Sequence, residues 1–188
     1  MARAADRAEA LLGALRALNR WVAVLVGAGL LACAALVLSD IALRRVHASF
    51  GGTDEISGYV MAIATAWGMG YALMELGHVR IDILRTRGGA GLRAAFDLFA
   101  ALVLAGTVSL VAIKAWPVVE RSLANASRAN TPLETPLALV QIPWFAGWVW
   151  FALMAWLTFL AALLLVVQGR FDAADRAIGV TGEAETPQ

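Results

Sequence analysis

Four long apolar stretches follow one another along the chain, at about Trp21–Leu43, Ile56–Leu76, Ala94–Val119 and Ile142–Val167. Each holds about 20 residues or more, enough for a helix to cross a hydrocarbon core of about 30 Å. Their centres, Leu31, Ala66, Gly106 and Met154, have apolar or small neighbours. A polytopic protein that moves ions itself usually keeps a charged group in the bilayer interior. The pattern therefore predicts an all-α, four-span membrane scaffold that works with partners.

Ahead of the first stretch, Leu11, Leu15, Leu18 and Val22 fall on one helical face, with Arg7, Arg16 and Arg20 elsewhere around the turn. This predicts an amphipathic helix over residues 2–20, lying on the membrane surface before the chain enters the bilayer. The tail from Phe171 is polar and ends Thr186-Pro187-Gln188, which reads as frayed.

Composition agrees. Of 188 residues, 61% are hydrophobic, and mean hydropathy is +0.73, more apolar than a soluble domain. Four helices and their loops consume nearly the whole chain, leaving one membrane domain over 1–188 and no soluble domain. No basic stripe exists for nucleic acid. One cysteine, Cys33, excludes an intramolecular disulfide or a CxxC pair. Apolar residues continue through Ala34–Leu38, so the Cys33 region reads as retained helix rather than a cleaved signal. Asn125-Ala126-Ser127 matches a glycosylation sequon by chance.

Charge distribution gives orientation. Ten arginines fall on the side of the termini and the second connection, and four on the side of the first and third. The positive-inside rule puts both termini on the cytoplasmic side. Trp21, Trp116, Trp144 and Trp148 sit at interfacial depths, and Trp67 and Trp156 deeper, as packing residues.

Some polar residues lie within or beside the spans. Asp40 and Lys114 share a depth near the outer side and are candidate partners, since burying either alone is costly. Glu75 and Asp97 form an inner layer within reach of Arg80 and Arg93. Asp97 also suits a helix N-terminus. In span two, Gly58, Ala62, Ala66 and Gly70 recur every four residues, a spacing that lets helix backbones approach closely. Ala101, Ala105 and Ser109 form a shorter version in span three. Pro132, Pro136 and Pro143 break helix and stiffen the loop before span four.

Thr53-Asp54-Glu55-Ile56-Ser57-Gly58-Tyr59 leads into span two, and Gly77-His78-Val79-Arg80-Ile81-Asp82-Ile83-Leu84 follows it. Asn130-Thr131-Pro132 and Ile142-Pro143-Trp144 come before and into span four, and Arg44-Arg45 follows span one. With four spans and both ends inside, this combination resembles the DctQ-like small membrane subunit of the tripartite ATP-independent periplasmic (TRAP) transporters. The likeness runs from about Leu18 to Gln168, although two Thr-Pro steps, Thr131-Pro132 and Thr135-Pro136, make the last outer loop longer than the plain pattern.

The resemblance implies a non-catalytic subunit without a cofactor, packed on a large membrane subunit that carries the ion and substrate sites. The system would take up an organic anion, often a carboxylate, with sodium, from a periplasmic binding protein. Asp54 and Glu55 become candidates for an outward acidic patch, with Thr53 as N-cap. Arg80, Asp82 and the small-residue face of span two become candidates for the subunit interface.

Two other classes compete. A four-helix membrane enzyme or redox protein would need a catalytic or haem-binding set, and His47 and His78 fall on opposite sides of the membrane. A homo-oligomeric exporter would need a polar helix face lining a pore, and no span shows one.

Overall fold

A computed structural model describes residues 2–78, 85 and 88–179, with side chains from Ala5 onward. It contains five helices: α1 Ala2–Arg44, α2 Thr53–Met74, α3 Ala90–Ala124, α4 Leu137–Val167 and α5 Phe171–Ile178. The first four are each long and apolar enough to cross a membrane. No strand occurs among the described residues; one isolated bridge joins Arg128 to Pro136.

The packing is small-in, large-out. Ala66, Ala105, Ala112, Ala155, Ala161 and Ala162 are buried, while Leu25, Leu31, Leu38 and Val167 are exposed. In lipid, large apolar side chains gain nothing by turning inward, whereas small ones bring backbones into contact. Helices α1, α2, α4 and α3 stand in that order, each against the next. α4 is the most enclosed of the four, and the most apolar window of α1 has no buried residue. The loop end of the bundle carries the α1–α2 and α3–α4 connections. The terminal end carries the start of α1, the α2–α3 connection and α5.

Three expectations are corrected. The leader is helical but is not a separate surface helix: α1 runs unbroken from Ala2 to Arg44. Its buried face is Ala5, Ala8, Leu12, Leu15 and Asn19, and Leu11 and Leu18 point outward. The tail from Phe171 is not frayed at its start. It forms α5, whose Ala173, Ala174, Ala177 and Ile178 share one buried cluster with Ala5, Ala8 and Leu12. Pro143 does not break the chain but lies inside α4. It leaves the Leu139 carbonyl, four residues earlier, without its helical donor, while its own carbonyl accepts the Trp67 indole N–H at 2.9 Å. Pro136 does stop helix, as the residue just before α4.

Candidate functional site

At the loop end, the turn into α2 is made by Gly51 and Gly52, with φ of 70° and 69°. This left-handed backbone favours glycine. A Cβ on Gly52 would also meet the Leu133 side chain at 2.5 Å, so the two loops touch here. Gly52, rather than the expected Thr53, occupies the N-cap position. Thr53 serves another role: its hydroxyl donates to Asp40 Oδ2 at 3.0 Å.

Asp40 is fully buried. Its carboxylate also accepts from Arg44 Nε at 2.9 Å, Ser49 Oγ at 2.9 Å and the Phe50 backbone N–H at 2.7 Å. The expected Asp40–Lys114 pair does not form. Four donors within thirteen residues of Asp40 satisfy the carboxylate, and Lys114 stands exposed on α3.

The acidic pair at the start of α2 divides. Asp54 is exposed. Glu55 is half-buried; its Oε1 accepts from the Tyr59 hydroxyl at 2.6 Å, and its carboxylate faces Thr131 and Thr135. The outward patch is therefore reduced to Asp54, because Glu55 turns towards the α3–α4 loop. That loop closes on itself through Ala129 N–H to Thr135 O and Leu137 N–H to Ser127 O, both 2.9 Å.

Midway down, the small-residue face of α2 splits in two. Ala66 and Gly70 are buried, and Gly58 and Ala62 are exposed. A Cβ on Gly147 of α4 would lie 2.7 Å from the Ala66 Cβ, so α2 and α4 touch backbone to backbone there. One turn on, Gly70 leaves room for Asn19, whose Oδ1 a Cβ would meet at 2.8 Å. Buried Asn19 donates to Leu15 O at 2.9 Å and accepts from Trp150 Nε1 at 3.0 Å. Trp150 stacks on Trp67 with centroids 5.9 Å apart.

This polar node joins α1, α2 and α4, and sequence reasoning missed it. The available signal was Asn19 falling four residues after Leu15 on the alanine face. In α3, Ala101 and Ala105 are buried as expected, and Ser109 accepts from Trp156 Nε1 at 2.9 Å. Trp156 is 37% exposed, at the bundle's flank rather than in its interior.

At the terminal end, Arg85 donates to both oxygens of buried Asp97 at 3.0 and 3.1 Å and also pairs with Asp175 of α5. The Asp97 hydrogen bonds hold the guanidinium above the ordinary arginine value against the opposing effect of burial, and the Asp97 and Asp175 charges add to this. Arg93 donates instead to Gly88 O at 2.9 Å, and Glu75 is exposed just past α2. Thus Arg85 is a partner of Asp97, whereas Arg80, the other arginine expected in this layer, and Asp82 lie outside the described residues. Arg170 pairs with Asp6 at 3.2 Å and Glu9 at 2.7 Å.

His47 and His78 lie beyond opposite ends of α2, and His78 stacks on Phe151 with centroids 5.9 Å apart. Among the described residues, no three His, Cys, Asp or Glu side chains are grouped to hold a metal ion. An apolar groove of about 360 Å³ runs between α1 and α2, lined by Val22, Leu25, Gly29, Ile63, Ala64 and Trp67.

A family model described as "Tripartite ATP-independent periplasmic transporters, DctQ component" matches residues 33–165. No curated protein matches the chain, and neither does any solved structure.

Proposed function

The chain belongs to the DctQ component family of the tripartite ATP-independent periplasmic transporters, and from that membership we propose that it is a non-catalytic subunit that packs on the large membrane subunit and widens its fixed scaffold. Sodium-coupled movement of an organic anion, delivered by a periplasmic binding protein, takes place in the large subunit. The terminal end faces the cytoplasm, in keeping with its ten arginines. The membrane is the bacterial inner membrane.

One observation carries the division of labour. The middle of the bundle is filled by Ala66 against Gly147 and by Ala105, Val108, Phe151, Met154 and Ala155. A carrier needs a hydrated, polar site near the bilayer midplane; the residues of this layer are apolar, and buried Asn19 beside them is taken up by Leu15 O, Met154 Sδ and Trp150 Nε1. The faces left for the large subunit are the outward side of α1 and the exposed small residues Gly58 and Ala62. Arg80 and Asp82 add an ion-pair contact on the cytoplasmic side. Exposed Asp54 contributes to a periplasmic contact.

Co-purification tests this reading. Tagged protein extracted in mild detergent is expected to bring down a membrane protein of roughly ten or more spans. Recovery solely as a monomer or homo-oligomer, together with gradient-driven uptake by the chain alone in liposomes, overturns it.

A further inference from the structure

On the terminal end, a pocket of about 220 Å³ opens between the leader of α1 and α5. Its walls are Leu12, Gly13, Ala173 and Ala177, and its polar lining is Glu9, Arg16 and Arg176. We propose that this pocket binds the phosphate headgroup of an anionic phospholipid through Arg16 and Arg176.

Charge comes first. Among the described residues, neither Arg16 nor Arg176 has a carboxylate partner; Arg16 Nη2 instead donates to the Arg176 backbone carbonyl at 2.8 Å. That bond fixes Arg16 at the pocket wall and uses only one of its donors, leaving others for a ligand. Glu9 is the lone acid in the lining, and Arg170 Nη2 holds its carboxylate at 2.7 Å. The pocket therefore presents net positive charge. Paired guanidinium groups match phosphate oxygens geometrically, in a way that a single ammonium does not.

Depth comes next. Arg16 lies five residues before Trp21, about 7–8 Å along the helix axis. Trp21 is 70% exposed at the start of the first apolar stretch, the position an indole takes at the membrane interface. The two arginines thus lie at headgroup level. Basic pockets between helices at this depth suit anionic lipid headgroups. The site lies outside residues 33–165, so it is a feature of this chain beyond the matched region.

Native mass spectrometry of the detergent-extracted full chain tests the assignment. The probes are phosphatidylglycerol, phosphatidylethanolamine and inorganic phosphate, offered separately to wild type, R16Q/R176Q, R16K and, as an outer-side control, R45Q. Wild type and R45Q are expected to retain phosphatidylglycerol at least ten-fold more than R16Q/R176Q, and more than they retain phosphatidylethanolamine. R16K is expected to fall between them. Circular dichroism and monodisperse elution establish that each variant is folded; if the double variant is not, R16K against R45Q decides.

Equal phosphatidylglycerol retention in all variants overturns the proposal. Arginine-dependent binding of inorganic phosphate that displaces phosphatidylglycerol overturns the lipid as occupant. Loss of the co-purifying large subunit with lipid retention unchanged counts against the subunit reading alone, so the two proposals fail separately.

Discussion

The two ends of the bundle hold their connections in opposite ways. At the loop end, Asp40 gathers Arg44, Ser49, Phe50 and Thr53, all within thirteen residues of itself. At the terminal end, beyond the local Arg85–Asp97 pair, the ties run from Arg85 to Asp175, Arg16 to Arg176, and Arg170 to Asp6, across 90 to 164 residues. The first is a local knot of short hydrogen bonds around one buried acid. The second is a set of long-range arginine bridges over an alanine-rich interface, which buries little area per residue. The loop end falls within the matched residues 33–165, while the leader and α5 lie outside them. A local knot forms as soon as its own segment folds, whereas long-range bridges require all four spans in place first. The terminal end is accordingly expected to be the softer of the two, opening at lower free energy.

The strongest challenge to that contrast comes from the layer between the ends. Ala66→Phe drives an aromatic ring into Gly147, where even a Cβ is crowded, and overpacking by so much leaves no low-energy rotamer. Loss of nearly all monodisperse protein in size-exclusion chromatography is expected, with both ends losing protection together. Wild-type yield from this variant means that α2 and α4 do not touch there.

Asp40→Ala comes next. It strips one acceptor from two hydroxyls, a backbone N–H and a guanidinium at once. Hydrogen exchange followed by mass spectrometry is expected to accelerate on the order of a hundredfold across 44–53, with 171–178 unchanged. Acceleration at both ends breaks the claim that the knot is local.

Arg85→Gln is the matching test at the terminal end. It removes the guanidinium that meets both oxygens of Asp97, itself 4% exposed. Breaking such a partly buried pair costs about 3 kcal/mol. Faster exchange in α5 and the first turns of α3 is expected, with the loop end unaffected. Unchanged α5 protection removes Arg85 from the account.

The spans themselves were legible because a bilayer demands long apolar runs, and each of the four runs falls within a long apolar helix, although α1 begins far ahead of Trp21. The face each helix buries was much less so. Leu11, Leu15 and Leu18 looked like the membrane-facing stripe of a surface helix, yet Leu15 turns into the bundle while Leu11 and Leu18 point outward, because lipid accepts leucine and the helix contact selects alanine. The same inversion hid α5: its buried residues are mostly alanine, and the surrounding Asp and Arg made the segment read as a polar tail. The small-residue face of α2 read as one stripe for a close helix contact and a candidate subunit interface. Only the fold shows that the contact is internal at Ala66 and Gly70 and that Gly58 and Ala62 remain exposed. Asp40 was matched to Lys114 by depth alone, and depth says nothing about the Gly51-Gly52 turn that carries Ser49, Phe50 and Thr53 back to it.

The smallest effect is expected from Arg170→Gln, and it separates the two kinds of tie most finely. Arg170 reaches Asp6 and Glu9 with all three side chains 39–71% exposed. Such pairs contribute about 0–1 kcal/mol and are screened by salt. At low ionic strength the variant is expected to exchange a few-fold faster than wild type in residues 5–12 and 171–178. At about 1 M salt, where the Debye length falls to about 3 Å, the two proteins are expected to converge, because screening has removed the same interaction from both. The Asp40 carboxylate is fully buried and three of its four donors are uncharged, so protection at 44–53 is expected to stay constant over the same salt range. If salt softens the loop end as much as the terminal end, the distinction between a buried local knot and an exposed long-range bridge does not hold. If Arg170→Gln stays softer at every salt concentration, the Arg170 stem contributes through packing rather than through its charge.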